Sequence, residues 1–153
     1  MNPFKNKVTD PKLRKLSFTI GLIFFYFGIL KFFPSYSPAE DLGISTIEAL
    51  FAGFFSAKVS IILLALLEVV IGVCLMANLF IRTIVITTVA HLILTFTPFL
   101  LFPEQTFAGS FITPSLLGQY IFKNIIIIAA LLAIYPKSKD MYEMASISKL
   151  IQK

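Results

Sequence analysis

Charge is scarce in this chain. Asp, Glu, Lys and Arg make up only 14% of its 153 residues, against about 25% in an ordinary globular protein. Cysteine is scarcer still. Cys74 stands alone, which excludes an intramolecular disulfide and a Cys-x-x-Cys redox pair. It sits in an apolar run and reads as a small buried or lipid-facing residue. His91 is likewise the sole histidine, so no His-x-x-x-His spacing exists and neither a metal centre nor a haem is expected. No nucleophile elbow, phosphate loop or dinucleotide fingerprint occurs. Nor is there an internal repeat, a low-complexity linker or the inverted repeat of a broken-helix transporter.

Apolar side chains are abundant. They make up 58% of the chain, and mean hydropathy is +0.90. A single soluble domain of this length cannot bury so much Ile, Leu and Phe, whereas lipid can solvate it. The sequence therefore predicts an all-α fold: an integral membrane bundle of four transmembrane helices, with 1–153 forming one domain. Spans are expected at about 13–33, 58–79, 81–102 and 117–135, each near the roughly 20 residues a bilayer requires. Pro34, Pro103 and Pro136 stand just past three of the ends. The first apolar run is too long for a cleavable signal, and Lys-Phe-Phe-Pro follows it rather than a small-x-small site.

Net charge is +5, but the basic residues gather at the chain ends. That argues for membrane topology and anionic headgroups, not for nucleic acid. Lys5, Lys7, Lys12, Arg14 and Lys15 lie before the first span, Arg82 beside the turn after the second, and Lys137, Lys139, Lys149 and Lys153 after the fourth. The other two loops carry Glu40, Asp41, Glu48 and Glu104, with Lys31 and Lys58 at helix ends. The positive-inside rule then expects both tails in the cytoplasm.

Two amphipathic segments are expected beside the spans. In 38–56, Ser37-Pro38-Ala39-Glu40 and Ser45-Thr46-Ile47-Glu48 both read as capping boxes, and Ile47, Leu50, Phe51, Phe54 and Phe55 share a face. This predicts a helix on the outer interface or dipping in as a lid. Segment 138–152 is expected to rest on the inner leaflet.

Each span carries one polar stripe at three- and four-residue spacing: Gly21, Phe24, Gly28 and Lys31; Ile61, Ala65, Glu68 and Gly72; Thr87, His91, Thr95 and Pro98; Gln119, Lys123, Ile126 and Ala130. Ionisable groups in a membrane face the bundle interior, and small residues beside them let helices approach. The stripes predict an outward-opening pocket flanked by Lys31 and Lys123, with Glu68 and His91 as its floor. For Glu68 the alternatives are an ion pair with Lys31 or Lys123, a proton-relay carboxylate and a ligand contact. For His91 they are a bond to a helix-two group and a contact to a substrate carbonyl or proton. Lys31 and Lys123 also read as interface anchors. Gln119 belongs to a polar group at the last outer loop, with Glu104, Gln105, Thr113, Ser115 and Tyr120.

Several of these runs resemble the DoxX-like family of small bacterial membrane proteins: Gly28-Ile29-Leu30-Lys31-Phe32-Phe33-Pro34, Leu67-Glu68-Val69-Val70-Ile71-Gly72, Thr97-Pro98 with Leu101-Phe102-Pro103, and Gly118-Gln119-Tyr120-Ile121-Phe122-Lys123-Asn124. Ser37-Pro38-Ala39-Glu40-Asp41-Leu42 and Thr46-Ile47 in the outer loop fit as well. The resemblance covers about 16–135. Asn124 stands where the family often carries aspartate. The resemblance implies a four-helix bundle in a bacterial plasma membrane. It also implies kinship with a membrane subunit of thiosulfate:quinone oxidoreductase or with redox-stress proteins.

Three functions compete at this stage. The first is a quinone-interacting subunit that receives electrons from a partner protein. The second is a non-catalytic assembly, anchoring or stress-response protein. The third is a small proton-coupled transporter working as a homo-oligomer.

Overall fold

A computed structural model describes residues 7–33, 36–37, 39–110 and 112–136. The expected segment 138–152 lies outside them. Among the described residues every regular element is helical: α1 Pro11–Leu30, α2 Glu40–Leu50, α3 Ala57–Met76, α4 Ile81–Leu94, α5 Pro98–Leu101, α6 Pro103–Thr106, α7 Leu116–Phe122 and α8 Asn124–Ile134. Four stretches are long and apolar enough to cross a membrane: α1, α3, α4 with α5, and α7 with α8. Only between 22% and 39% of each is buried inside the bundle, so most of their apolar surface faces outward.

The ends of these elements follow from local chemistry. α1 starts two residues before the expected Leu13, because Asp10 accepts from the backbone N–H groups of Lys12 at 2.7 Å and Leu13 at 3.3 Å, with Pro11 at the first helical position. It ends at Leu30, and Lys31 is its C-cap. α3 stops at Met76, short of the expected Leu79, since Asn78 and Phe80 turn the chain with positive φ angles of 56° and 48°. The third span is interrupted at Thr95–Thr97. Pro98 has no N–H to continue the ladder, while the hydroxyls of Thr95 and Thr97 bond back to the carbonyls of Leu92 and Leu94. α6, inside the last loop, was not foreseen. The fourth span tightens at Lys123, where the N–H of Ile126 bonds three residues back to the Lys123 carbonyl at 3.0 Å.

The most extensive contact in the bundle joins α1 to α3, antiparallel, through glycine. A Cβ on Gly72 would meet the Phe25 nitrogen at 2.5 Å and the Gly21 carbonyl oxygen at 2.7 Å. A Cβ on Gly28 would meet the Val69 nitrogen at 2.9 Å. Backbones therefore touch along this seam. Ser17 donates to the Leu75 carbonyl at 3.0 Å, and the Asn78 amide exchanges two hydrogen bonds with the Val8 backbone at 3.0 and 3.1 Å. Below the middle of the bundle, Ile20, Ile71, Leu75, Ile81, Val85, Leu131 and Ile134 close an apolar core.

Above the middle the bundle is notched. Gly28, near the end of α1, faces Glu68, yet α3 begins at Ala57, about 16 Å further along its axis. α2 packs into that notch against α3 and α5. Leu42 and Thr46 are buried there, and Gly43 faces Leu64. Neither Ser37 nor Ser45 stands at the N-cap of α2. α2 starts at Glu40 with Ala39 as an N-cap that makes no side-chain bond, and the Ser45–Glu48 box lies inside the helix, where the Thr46 hydroxyl donates to the Leu42 carbonyl at 2.6 Å. α2 also ends at Leu50, earlier than expected. Ala52 and Gly53 take positive φ angles of 50° and 72°, which break the helix and turn Phe54 outward.

Candidate functional site

The notch that α2 covers is a cavity of about 470 Å³. Its walls are Ile23, Phe24 and Phe27 of α1, Leu42, Thr46 and Ile47 of α2, Leu63, Leu64 and Leu67 of α3, and Pro98 of α5. Polar groups enter it from Lys31, Ser60, Glu68, His91, Thr95, Tyr120 and Asn124. The segment expected to act as a lid thus forms a wall: Ile47, Leu50, Phe51 and Phe55 of the expected face line the cavity, joined by Leu42, Gly43 and Thr46, whereas Phe54 does not.

Three of the five expected site residues meet at the cavity floor. Lys31 Nζ donates to Glu68 Oε2 at 2.5 Å, and the other carboxylate oxygen, Oε1, lies 3.6 Å from His91 Nε2. The lysine and glutamate side chains are only 8% and 11% exposed, so water screens this pair little. Local structure brings them together. Lys31 caps the C-terminus of α1, where free carbonyls favour a cation, and its ammonium also approaches the Phe27 carbonyl at 3.5 Å. Glu68 sits beside Gly72 on the face of α3 that touches α1. His91 is held edge-on by the Phe24 ring, 6.2 Å between centroids.

Gln119 and Lys123 are elsewhere. Both are exposed and border a separate shallow groove with Pro114 and Phe122. Gln119 donates to the Pro114 carbonyl at 3.3 Å, and the Lys123 ammonium lies 5.2 Å from the centre of the Tyr120 ring. The expected stripe Gln119, Lys123, Ile126 and Ala130 therefore does not face the cavity; Ile126 is 71% exposed. Gly118 sets the rotation. Its Cα is pressed against the Thr106 carbonyl oxygen, leaving no room for a side chain, and this turns Gly118, Ile121, Leu131 and Ile134 inward. Asn124 points the same way and donates to Thr95 Oγ1 at 2.8 Å, so the amide joins the cavity wall that Lys123 does not reach. Along the third span, His91, Thr95 and Pro98 line the cavity as expected, while Thr87 does not.

Ser60 and Asn124 are the polar wall residues that sequence reasoning passed over. Asn124 was visible only as a neighbour of Lys123, and a serine near a helix start carries no signal of its own. Among the described residues no three His, Cys, Asp or Glu side chains are grouped to hold a metal. Chemically, the floor can donate hydrogen bonds from Lys31 and His91 and accept one at Glu68, at the end of an apolar shaft. Comparison of the chain with protein-family models, with curated proteins and with solved structures finds no match.

Proposed function

We propose that this chain is an integral membrane protein whose cavity binds a quinone, as a DoxX-like subunit of a membrane redox system. The observation that carries the reading is the single Glu68 carboxylate shared between Lys31 and His91 at the floor of an apolar cavity. A quinone carbonyl accepts hydrogen bonds, which Lys31 and His91 supply. Its reduction to quinol takes two electrons and two protons. Glu68 and His91 are placed to pass the protons, and a partner redox protein delivers the electrons. The apolar walls suit the ring and its isoprenoid tail. The basic tails set the orientation: both ends of the chain face the cytoplasm of a bacterial plasma membrane, and α2 sits in the outer half.

Protein purified in mild detergent is expected to carry quinone near one per chain, detected in extracted lipid by mass spectrometry and by redox difference absorbance. A folded Glu68→Gln variant is expected to lose it. Absence of quinone from wild type, with no binding on titration, would end the redox reading. The short Lys31–Glu68 pair also favours a second reading, an assembly or anchoring protein whose pair only clamps α1 to α3. Under that reading Glu68→Gln lowers folded yield and changes no ligand binding.

A further inference from the structure

Polar groups meet the cavity at two levels. The lower is the floor, where Glu68 lies 2.5 Å from Lys31 and 3.6 Å from His91. The upper is Asn124 with Thr95, joined by a hydrogen bond of 2.8 Å. His91 and Thr95 stand four residues apart on one face of the third span, so the two levels are about 6 Å apart along its axis. The α2 wall offers neither level an open donor. Its Thr46 hydroxyl is used on the Leu42 carbonyl at 2.6 Å, and Leu42, Ile47 and Leu50 are apolar.

The hydrogen bonds fix which way the Asn124 amide points. The one proton of the Thr95 hydroxyl goes to the Leu92 carbonyl at 2.6 Å, so Thr95 Oγ1 can only accept. It accepts from Asn124 Nδ2, which commits the amide nitrogen to Thr95 and leaves Oδ1 on the other side of the group. Oδ1 makes no hydrogen bond within the protein. Nor is it sealed in: among the described residues, the enclosed side-chain atoms without a partner are Ser60 Oγ and Arg82 Nε. Glu68 Oε1 is open in the same sense, with His91 no nearer than 3.6 Å. Each level therefore offers an accepting oxygen beside N–H donors. Below, these are Glu68 Oε1 with Lys31 and His91; above, Asn124 Oδ1 with the second N–H of its own amide.

We infer that Asn124 holds the second oxygen of a para-quinone whose first oxygen sits at the Lys31–Glu68–His91 floor. Levels one helical turn apart suit a six-membered ring with an oxygen at each end. In the oxidised ring both oxygens are carbonyls; one accepts from Lys31 or His91 and the other from the Asn124 amide. In the reduced ring both are hydroxyls; one donates to Glu68 Oε1 and the other to Asn124 Oδ1. This rests on the quinone reading and adds to it the para arrangement and the residue that selects it. Thr95 is a positioning residue, because it acts by aiming the amide.

Decyl hydroquinone and the two decyl phenols that each lack one of its hydroxyls test it. They are titrated without oxygen into detergent-solubilised protein and read by native mass spectrometry. Wild type is expected to bind the hydroquinone about fivefold more tightly than either phenol, the factor one net hydrogen bond supplies. Asn124→Leu keeps the size of the side chain, and Thr95 keeps its bond to the Leu92 carbonyl. This variant is expected to fold, to bind the phenols as wild type does and to lose the preference for the hydroquinone. If Asn124 served only to join helices, its loss would lower stability and leave the preference intact. Should Asn124→Leu fail to fold, Thr95→Val decides: it keeps the amide but removes the partner that aims it, and the preference is expected to fall. Equal binding of hydroquinone and phenols by wild type, or a preference undiminished in the folded variant, would overturn the inference and leave the quinone reading standing. No binding of any probe would overturn the quinone reading and the inference with it.

Discussion

Replacing Lys31 by Met leaves the Glu68 carboxylate with His91 at 3.6 Å as its nearest charge partner, in a position 11% exposed. Replacing Glu68 by Leu leaves the Lys31 ammonium with only the Phe27 carbonyl at 3.5 Å. Breaking one side of a buried ion pair costs about 3–5 kcal/mol, because the survivor remains desolvated and uncompensated. Removing both sides replaces the pair with apolar side chains in an apolar cavity, and such exchanges are near neutral. Each single variant is therefore expected to lose about 3 kcal/mol, while the Lys31→Met, Glu68→Leu double variant stays within about 1 kcal/mol of wild type. The cycle is read from reversible unfolding in mixed micelles, followed by circular dichroism as the denaturing detergent fraction rises. Additive losses, to within about 0.5 kcal/mol, would refute the coupling and with it the geometry of the cavity floor.

Other outcomes follow from the same contacts. Gly72→Ala drives a methyl into the backbone of α1 and should cost about 1–3 kcal/mol, while Gly43→Ala meets only Leu64 at 3.5 Å and should be tolerated; thermal midpoints of the two variants separate these cases. Asn78→Gly keeps the positive φ of 56° but loses both bonds to Val8, and Asn78→Ala adds strain. The alanine variant should be less stable than the glycine variant by about 1 kcal/mol in the same unfolding assay. In a Cys74→Ala background, a cysteine at Ser56 should react with membrane-impermeant maleimide on whole cells and a cysteine at Lys7 should not; the reverse pattern would invert the topology.

The two spans that meet through glycine were legible in the sequence. Gly21, Phe24, Gly28 and Lys31, and Ile61, Ala65, Glu68 and Gly72, are all buried, because small residues and an ionisable pair on one stripe have few ways to pack in an apolar bundle. The fourth span was not legible. Its Ile125–Ile128 run is apolar all round, so periodicity cannot fix its rotation, and the two polar residues at its head were a poor guide. What turns the helix is Gly118 against the Thr106 carbonyl, a contact to a loop whose path the sequence does not encode locally. α2 was found by its amphipathic face, of which Ile47, Leu50, Phe51 and Phe55 line the cavity, but its most deeply buried positions were missed for a similar reason. Packing on Leu64 selects Leu42 and Thr46 as the buried positions, and tertiary burial prevailed over both capping patterns.

Photolabelling with an azido-quinone tests the central claim most directly. In membranes, the label is expected on peptides from α2 and from the Leu63–Glu68 stretch of α3, to be competed by unmodified quinone and to be lost in folded Glu68→Gln. Label that is absent, or that falls only on outward-facing residues such as Ile86 and Leu132 and is not competed, would contradict a quinone site in this cavity.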